Sequence, residues 1–173
     1  MFSSIASPQL EKIVPKSAIG RRAVLLLLAL SISRMPSAGA GGDVAVVVRP
    51  DTPADDLSLS EIRKVLFGER QFWSSGLRVT LLIQAPAARE REVVLRTIYR
   101  MSDAEFKQYW IAKVFRAEAN NSPKIVLSNE QALELLNIIP GSVAFVDSTA
   151  VPKGVKILKI DGKLPGEKGY PLR

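Results

Sequence analysis

The sequence predicts an α/β domain of three layers, in which a mainly parallel or mixed sheet is flanked by helices. Short runs of consecutive apolar, largely β-branched residues read as strands buried on both faces. The stretches between them carry apolar residues at helical spacing. Strand and helix alternate along the chain, an order that right-handed crossovers turn into a parallel sheet.

The first strand is Val44, Ala45, Val46, Val47 and Val48, stopped by Arg49 and Pro50. Ser58 and Ser60 are candidate N-caps for a helix through Ile62, Val65, Leu66 and Phe67, ended by Gly68. Phe72 and Trp73, followed by Ser74, Ser75 and Gly76, read as a packed turn, and residues 77–83 as a second buried strand. After Pro86 the period becomes helical: Val93, Val94 and Ile98 share a face of a helix that starts near Ala87. Ser102 and Glu105 make a capping box for a third helix, whose apolar residues are Phe106, Tyr109, Trp110, Val114 and Phe115. Ile125, Val126 and Leu127 form a short strand. Ser128 then caps a helix over Ala132, Leu133, Leu135, Leu136 and Ile139, closed by Pro140 and Gly141. Residues 143–146 and 155–160 are the remaining strands, the last one running into the Asp161-Gly162 turn. At this spacing the aromatic residues are expected to pack the core.

Composition narrows the function. With 47% hydrophobic and 24% charged residues the chain is globular in character. It contains no cysteine and no histidine, which excludes thiol nucleophiles, disulfides, cysteine-based zinc sites and histidine general bases. Asp51, Asp55, Asp56 and Glu61 form a loose acidic group without the alternating spacing of a calcium loop. No catalytic set emerges, so neither an enzyme nor a cofactor is expected.

The first forty residues are set apart. Arg21 and Arg22 precede an apolar run over residues 23–30, followed by Pro36, Ser37 and then Ala38, Gly39 and Ala40. A positive region, a short apolar region and small residues before a cleavage point describe a signal peptide. The apolar run is about half of the ~20 residues a transmembrane helix needs. Residues 1–40 are therefore expected to be a signal peptide and residues 41–173 the periplasmic domain, with Sec and twin-arginine export both open. The net charge of +7 falls to about +3 once residues 1–40 are removed, and the remaining basic residues are interleaved with acids. Nucleic acid is not an expected partner.

Four segments in this order resemble a known family. They are Leu59-Ser60-Glu61-Ile62-Arg63-Lys64-Val65-Leu66-Phe67-Gly68 with the turn holding Trp73 and Gly76; Tyr109-Trp110 with Phe115; Pro140-Gly141-Ser142-Val143-Ala144-Phe145-Val146; and residues 155–162 with Tyr170-Pro171-Leu172. Together they resemble the phosphate-binding proteins of ABC transporters, and especially short, stand-alone relatives of them. The resemblance implies the type 2 periplasmic binding protein fold. It also implies a small inorganic anion, with phosphate as the family ligand, and a membrane transporter or sensor as partner. The domain is long enough for one lobe of the two that full-length members close around a ligand. A homodimer would supply the other half of the cleft.

The candidate ligand-binding residues follow from that frame. Gln84, Ala87, Ala88 and Arg89 connect the second long strand to the helix after it, where backbone N–H groups and a bidentate arginine suit an oxyanion. The short relatives also tend to place an arginine where Arg89 falls. Ser60 and Ser142 are further polar residues at a helix start and a strand mouth. Each has a plainer reading: Arg89 as a solvated ion-pair partner, Ser60 as a helix cap, Ser142 as a turn residue. Full phosphate binders carry a hydroxyl-rich stretch where this chain has alanines and a proline. That leaves open an alternative, a non-binding structural or signalling partner of an envelope complex that keeps the fold.

Overall fold

The computed structural model describes residues 41–173; the signal-peptide expectation for residues 1–40 lies outside them. Val44–Val48 form β1, buried at every position. Such a run needs cover on both faces, and it has it. Thr80–Gln84 form β3, Lys124–Val126 form β4, Ser142–Asp147 form β5 and Lys156–Ile157 form β6. They assemble with β1 in the order β4-β3-β5-β1-β6. β3 runs parallel to β4 and β5, whereas β1 is antiparallel to β5 and β6, so the sheet is mixed.

Successive strand residues point to opposite faces, and two cores follow from that alternation. Val44, Val46, Val48, Ile83 and Phe145 pack with α1 (Leu59–Leu66), α2 (Arg89–Val94) and α3 (Asp103–Phe115) on one face. Ala45, Val47, Leu82, Ala144 and Val146 pack against α4 (Asn129–Ile138) on the other, through Ala132 and Leu136. This is the expected three-layer α/β arrangement.

Several boundaries move for local reasons. The cap of α1 is Ser58, which forms a reciprocal capping box with Glu61. β3 starts at Thr80 because Leu77 and Val79 bond back to Trp73 and Gln71, closing a turn whose buried Trp73 indole donates to the Gly141 carbonyl at 2.9 Å. α2 starts at Arg89 because Ala87 takes a left-handed φ of 69°. The single strand expected over residues 155–160 divides at buried Leu158: β6 joins the main sheet, while β7 (Lys159–Ile160) pairs in parallel with β2 (Asp56–Leu57).

The third helix corrects a larger expectation. Its inward stripe is Phe106, Trp110 and Lys113, whose ammonium meets the Tyr109 hydroxyl at 3.0 Å, while Val114 and Phe115 face solvent. Aromatic packing there is dense, with Phe67, Tyr99, Phe106, Tyr109 and Trp110 linked edge to face or tilted. The lobe closes on itself where Leu172 accepts from the Val44 N–H and the Tyr170 hydroxyl donates to the Val44 carbonyl, each at 2.8 Å. Among the described residues no helix is long and apolar enough to cross a membrane.

Candidate functional site

In a sheet of this kind ligands gather beyond the carboxyl ends of the parallel strands. Here β3 ends at Gln84 and β5 at Asp147, with Gly41 and Gly42 entering β1 alongside. Gln84 is buried. Its amide donates to Asn129 Oδ1 at 3.0 Å and meets the Phe145 carbonyl at 3.5 Å. Asn129, the first residue of α4, in turn accepts from the Asp147 N–H and donates to Glu90. Gln84 is thus a strut between β3, β5 and α4, with its amide N–H bonded inside the protein.

Ala87 supplies the left-handed residue that turns the chain out of β3, and the Ala88 N–H closes that turn on the Ala85 carbonyl at 3.2 Å. Ala88 is the N-cap of α2 and has no side-chain acceptor to offer the helix amides. Arg89 follows. Its Nη1 lies 3.4 Å from Asp147 Oδ2, and its Nη2 donates to the carbonyls of Gly41 and Gly42. Asp147 Oδ1 accepts from the Thr149 N–H at 2.8 Å and the Thr149 hydroxyl at 2.6 Å. Burial alone pushes the Asp147 carboxyl up. The Thr149 hydroxyl and amide, Arg89 and the Gly42 N–H outweigh it and hold the group below the ordinary aspartate value.

The edge is therefore a cluster of donors converging on a carboxylate, the chemistry that an oxyanion seat needs. Arg91, two residues on, belongs to the scaffold instead. It is buried, donates to the Gln84 carbonyl at 3.0 Å, pairs with Asp103 at 2.6 Å and lies over the Phe106 ring.

Two candidate residues stand apart from this cluster. Ser142 opens β5 opposite Thr80, at the far end of the parallel strands from Gln84, and its buried hydroxyl donates to the Leu136 carbonyl near the end of α4. Ser60 is exposed in the first turn of α1, 3.0 Å from the Ser58 hydroxyl, and the amide of its neighbour Leu59 faces Asp161 at 3.2 Å. Sequence reasoning missed Asp147, Thr149 and Asn129. The signal for Asp147 was its place at the carboxyl end of a strand parallel to β3. Among the described residues no three acidic, cysteine or histidine side chains are grouped to hold a metal ion.

No protein-family model and no curated protein matches the chain. Solved structures do. PstS from Borrelia burgdorferi superimposes with a TM-score of 0.59 at 14% identity, over 76% of this chain and 54% of that one. An ABC-type phosphate transport receptor from Vibrio cholerae gives 0.58 at 17% identity, over 72% of this chain and 48% of that one. The chain thus spans about half the length of the solved proteins it matches. The likeness is one of fold: this is a single α/β lobe of the type 2 periplasmic binding protein architecture.

Proposed function

We propose that this chain is an exported, non-catalytic solute-binding module that works beside a membrane transporter and takes a small inorganic oxyanion, phosphate by class, at the Arg89 edge. On this reading residues 1–40 are a signal peptide removed after Ala40, and residues 41–173 act in the periplasm. The supporting observation is the donor cluster at the carboxyl ends of β3 and β5, where the Arg89 guanidinium and the Thr149 amide and hydroxyl already stabilise one anionic group, Asp147. An oxyanion enters by replacing that carboxylate at Arg89.

One observation favours a second reading, a docking partner that keeps the fold without the ligand. Asp147 and the Gly41 and Gly42 carbonyls already engage Arg89, and no serine or threonine lines the Gln84-Ala85-Pro86-Ala87-Ala88 connection.

Thermal unfolding of the exported protein in phosphate, sulfate or chloride at matched ionic strength separates the two. A ligand at about 100 times its Kd stabilises by about 2.7 kcal/mol, a rise of several degrees in Tm. The oxyanion reading expects a phosphate-dependent rise that Arg89→Ala abolishes and Asp147→Asn enlarges, because the amide no longer competes for the guanidinium. A flat response in all three proteins supports the docking reading. N-terminal sequencing of the exported protein tests the first clause, with Gly41 expected as the first residue.

A further inference from the structure

We infer that the outward face of α3, with the neighbouring edge of the sheet, is a two-fold interface between copies of this chain. α3 carries a second apolar stripe. Ile111, Val114 and Phe115 point to solvent, Phe115 with 90% of its surface exposed. β4 is the edge strand of the sheet, and Ile125 in it and Leu127 just after it are exposed as well. Between helix and strand runs an open groove of about 660 Å³, walled by Ile83, Phe106, Ile111, Val114 and Ile125, with Phe115 at its lip.

One surface therefore holds both a knob and a hole. A two-fold axis crossing α3 would set Phe115 of each copy against the groove of the other. An isologous contact requires such self-complementarity, because the same patch serves both sides.

Charge and size agree with a second copy. Of the charged residues walling the groove, Arg91 and Asp103 pair with each other at 2.6 Å. Lys107 remains, and its aliphatic stem can lie against an opposing aromatic ring. Depletion of charge in favour of aromatic and aliphatic groups marks the centre of an interface. Ile111, Val114, Phe115, Ile125 and Leu127 together expose on the order of 600 Å², most of the ~800 Å² that each partner contributes to a standard interface. An apolar patch of that size stands at the upper end of what a monomer exposes, where such patches commonly serve binding. The inference does not rest on the oxyanion reading.

Sedimentation velocity on the protein produced from the full chain, across the micromolar range, tests it. A dimer is expected. Phe115→Glu should raise the dissociation constant at least ~30-fold, the effect of losing a hot-spot anchor. The same is expected of Ile111→Lys. Both side chains face solvent in the protomer, so the circular dichroism spectrum should stay unchanged. Ile138→Glu, at an exposed position on α4, should leave the dimer intact. A monomer throughout the range overturns the inference, as does a dimer indifferent to both groove substitutions.

Discussion

Asp147 carries much of the behaviour of the Arg89 edge. Its side chain is 15% exposed and its carboxylate is held ionised, since Thr149, Arg89 and the Gly42 N–H outweigh the effect of burial. A carboxyl whose folded pKa lies below its unfolded value, about 3.9 for aspartate, stabilises the fold above that value. The stabilisation is lost as pH falls through the folded pKa. Asp147→Asn should therefore lower stability by about 1.5–3 kcal/mol near neutral pH, the range for a hydrogen-bonded charged group. The difference from the parent protein should close in acid. Urea unfolding of both proteins at neutral pH and below about pH 3 checks the sign. Equal stability at neutral pH would mean that Thr149 and Arg89 find other partners without loss.

At the scale of elements, the end of α1 shows how one helix is finished by its neighbours. The last carbonyls of a helix lack intrahelical donors. Here the Tyr99 hydroxyl donates to the Leu66 carbonyl and the Tyr109 hydroxyl to the Phe67 carbonyl, while Arg63 reaches across to the Ile98 carbonyl. Tyr99 occupies this position because the π-helical turn Leu95–Tyr99 widens the chain after α2. Tyr99→Phe keeps the ring packing but leaves a buried carbonyl unpaired, so a loss of about 1–3 kcal/mol is expected in chemical unfolding. Burial pushes the hydroxyls of Tyr99 and Tyr170 well above the ordinary tyrosine range. With folded pKa values raised, that stabilisation is complete below the unfolded value of about 10 and is lost as pH rises through the folded one. Tyrosinate absorbance from these two residues should appear only as the protein unfolds in alkali. Ionisation of both in a folded protein would contradict their burial.

For the whole molecule, the order of strands makes completion of the sheet a long-range event. β1 opens the lobe yet lies between β5 and β6, and the far end of the chain locks it through Leu172 and Tyr170. Leu172 is fully buried. Leu172→Ala should cost about 2–5 kcal/mol and lower Tm by well over the few degrees that follow each kcal/mol in a domain of this size. A change within the ordinary range for surface substitutions, about 0.5 kcal/mol, would show that the last residues are dispensable to the lobe. The two-fold contact proposed at α3 also belongs to this scale, since it would cover the apolar groove that one copy leaves open.

What the sequence determined by itself was local. The run from Val44 to Val48 read as a strand covered on both faces, and Ser102 with Glu105 as the start of a helix, because burial pattern and capping are written in adjacent residues. The alternation of strand and helix was equally legible, and with it the layered fold. Tertiary structure decided the rest. Sequence spacing does not say which of two apolar stripes on α3 meets the sheet, so Phe115 read as core and lies in water. Strand direction depends on where the chain returns from, so the antiparallel placement of β1 and the division of residues 155–160 between two sheets could not be read from composition. The candidate site was half legible. Gln84, Ala87, Ala88 and Arg89 are consecutive or nearly so, and the local turn keeps them together. Asp147 lies 58 positions from Arg89, and only the parallel pairing of β3 with β5 brings that carboxylate to the arginine.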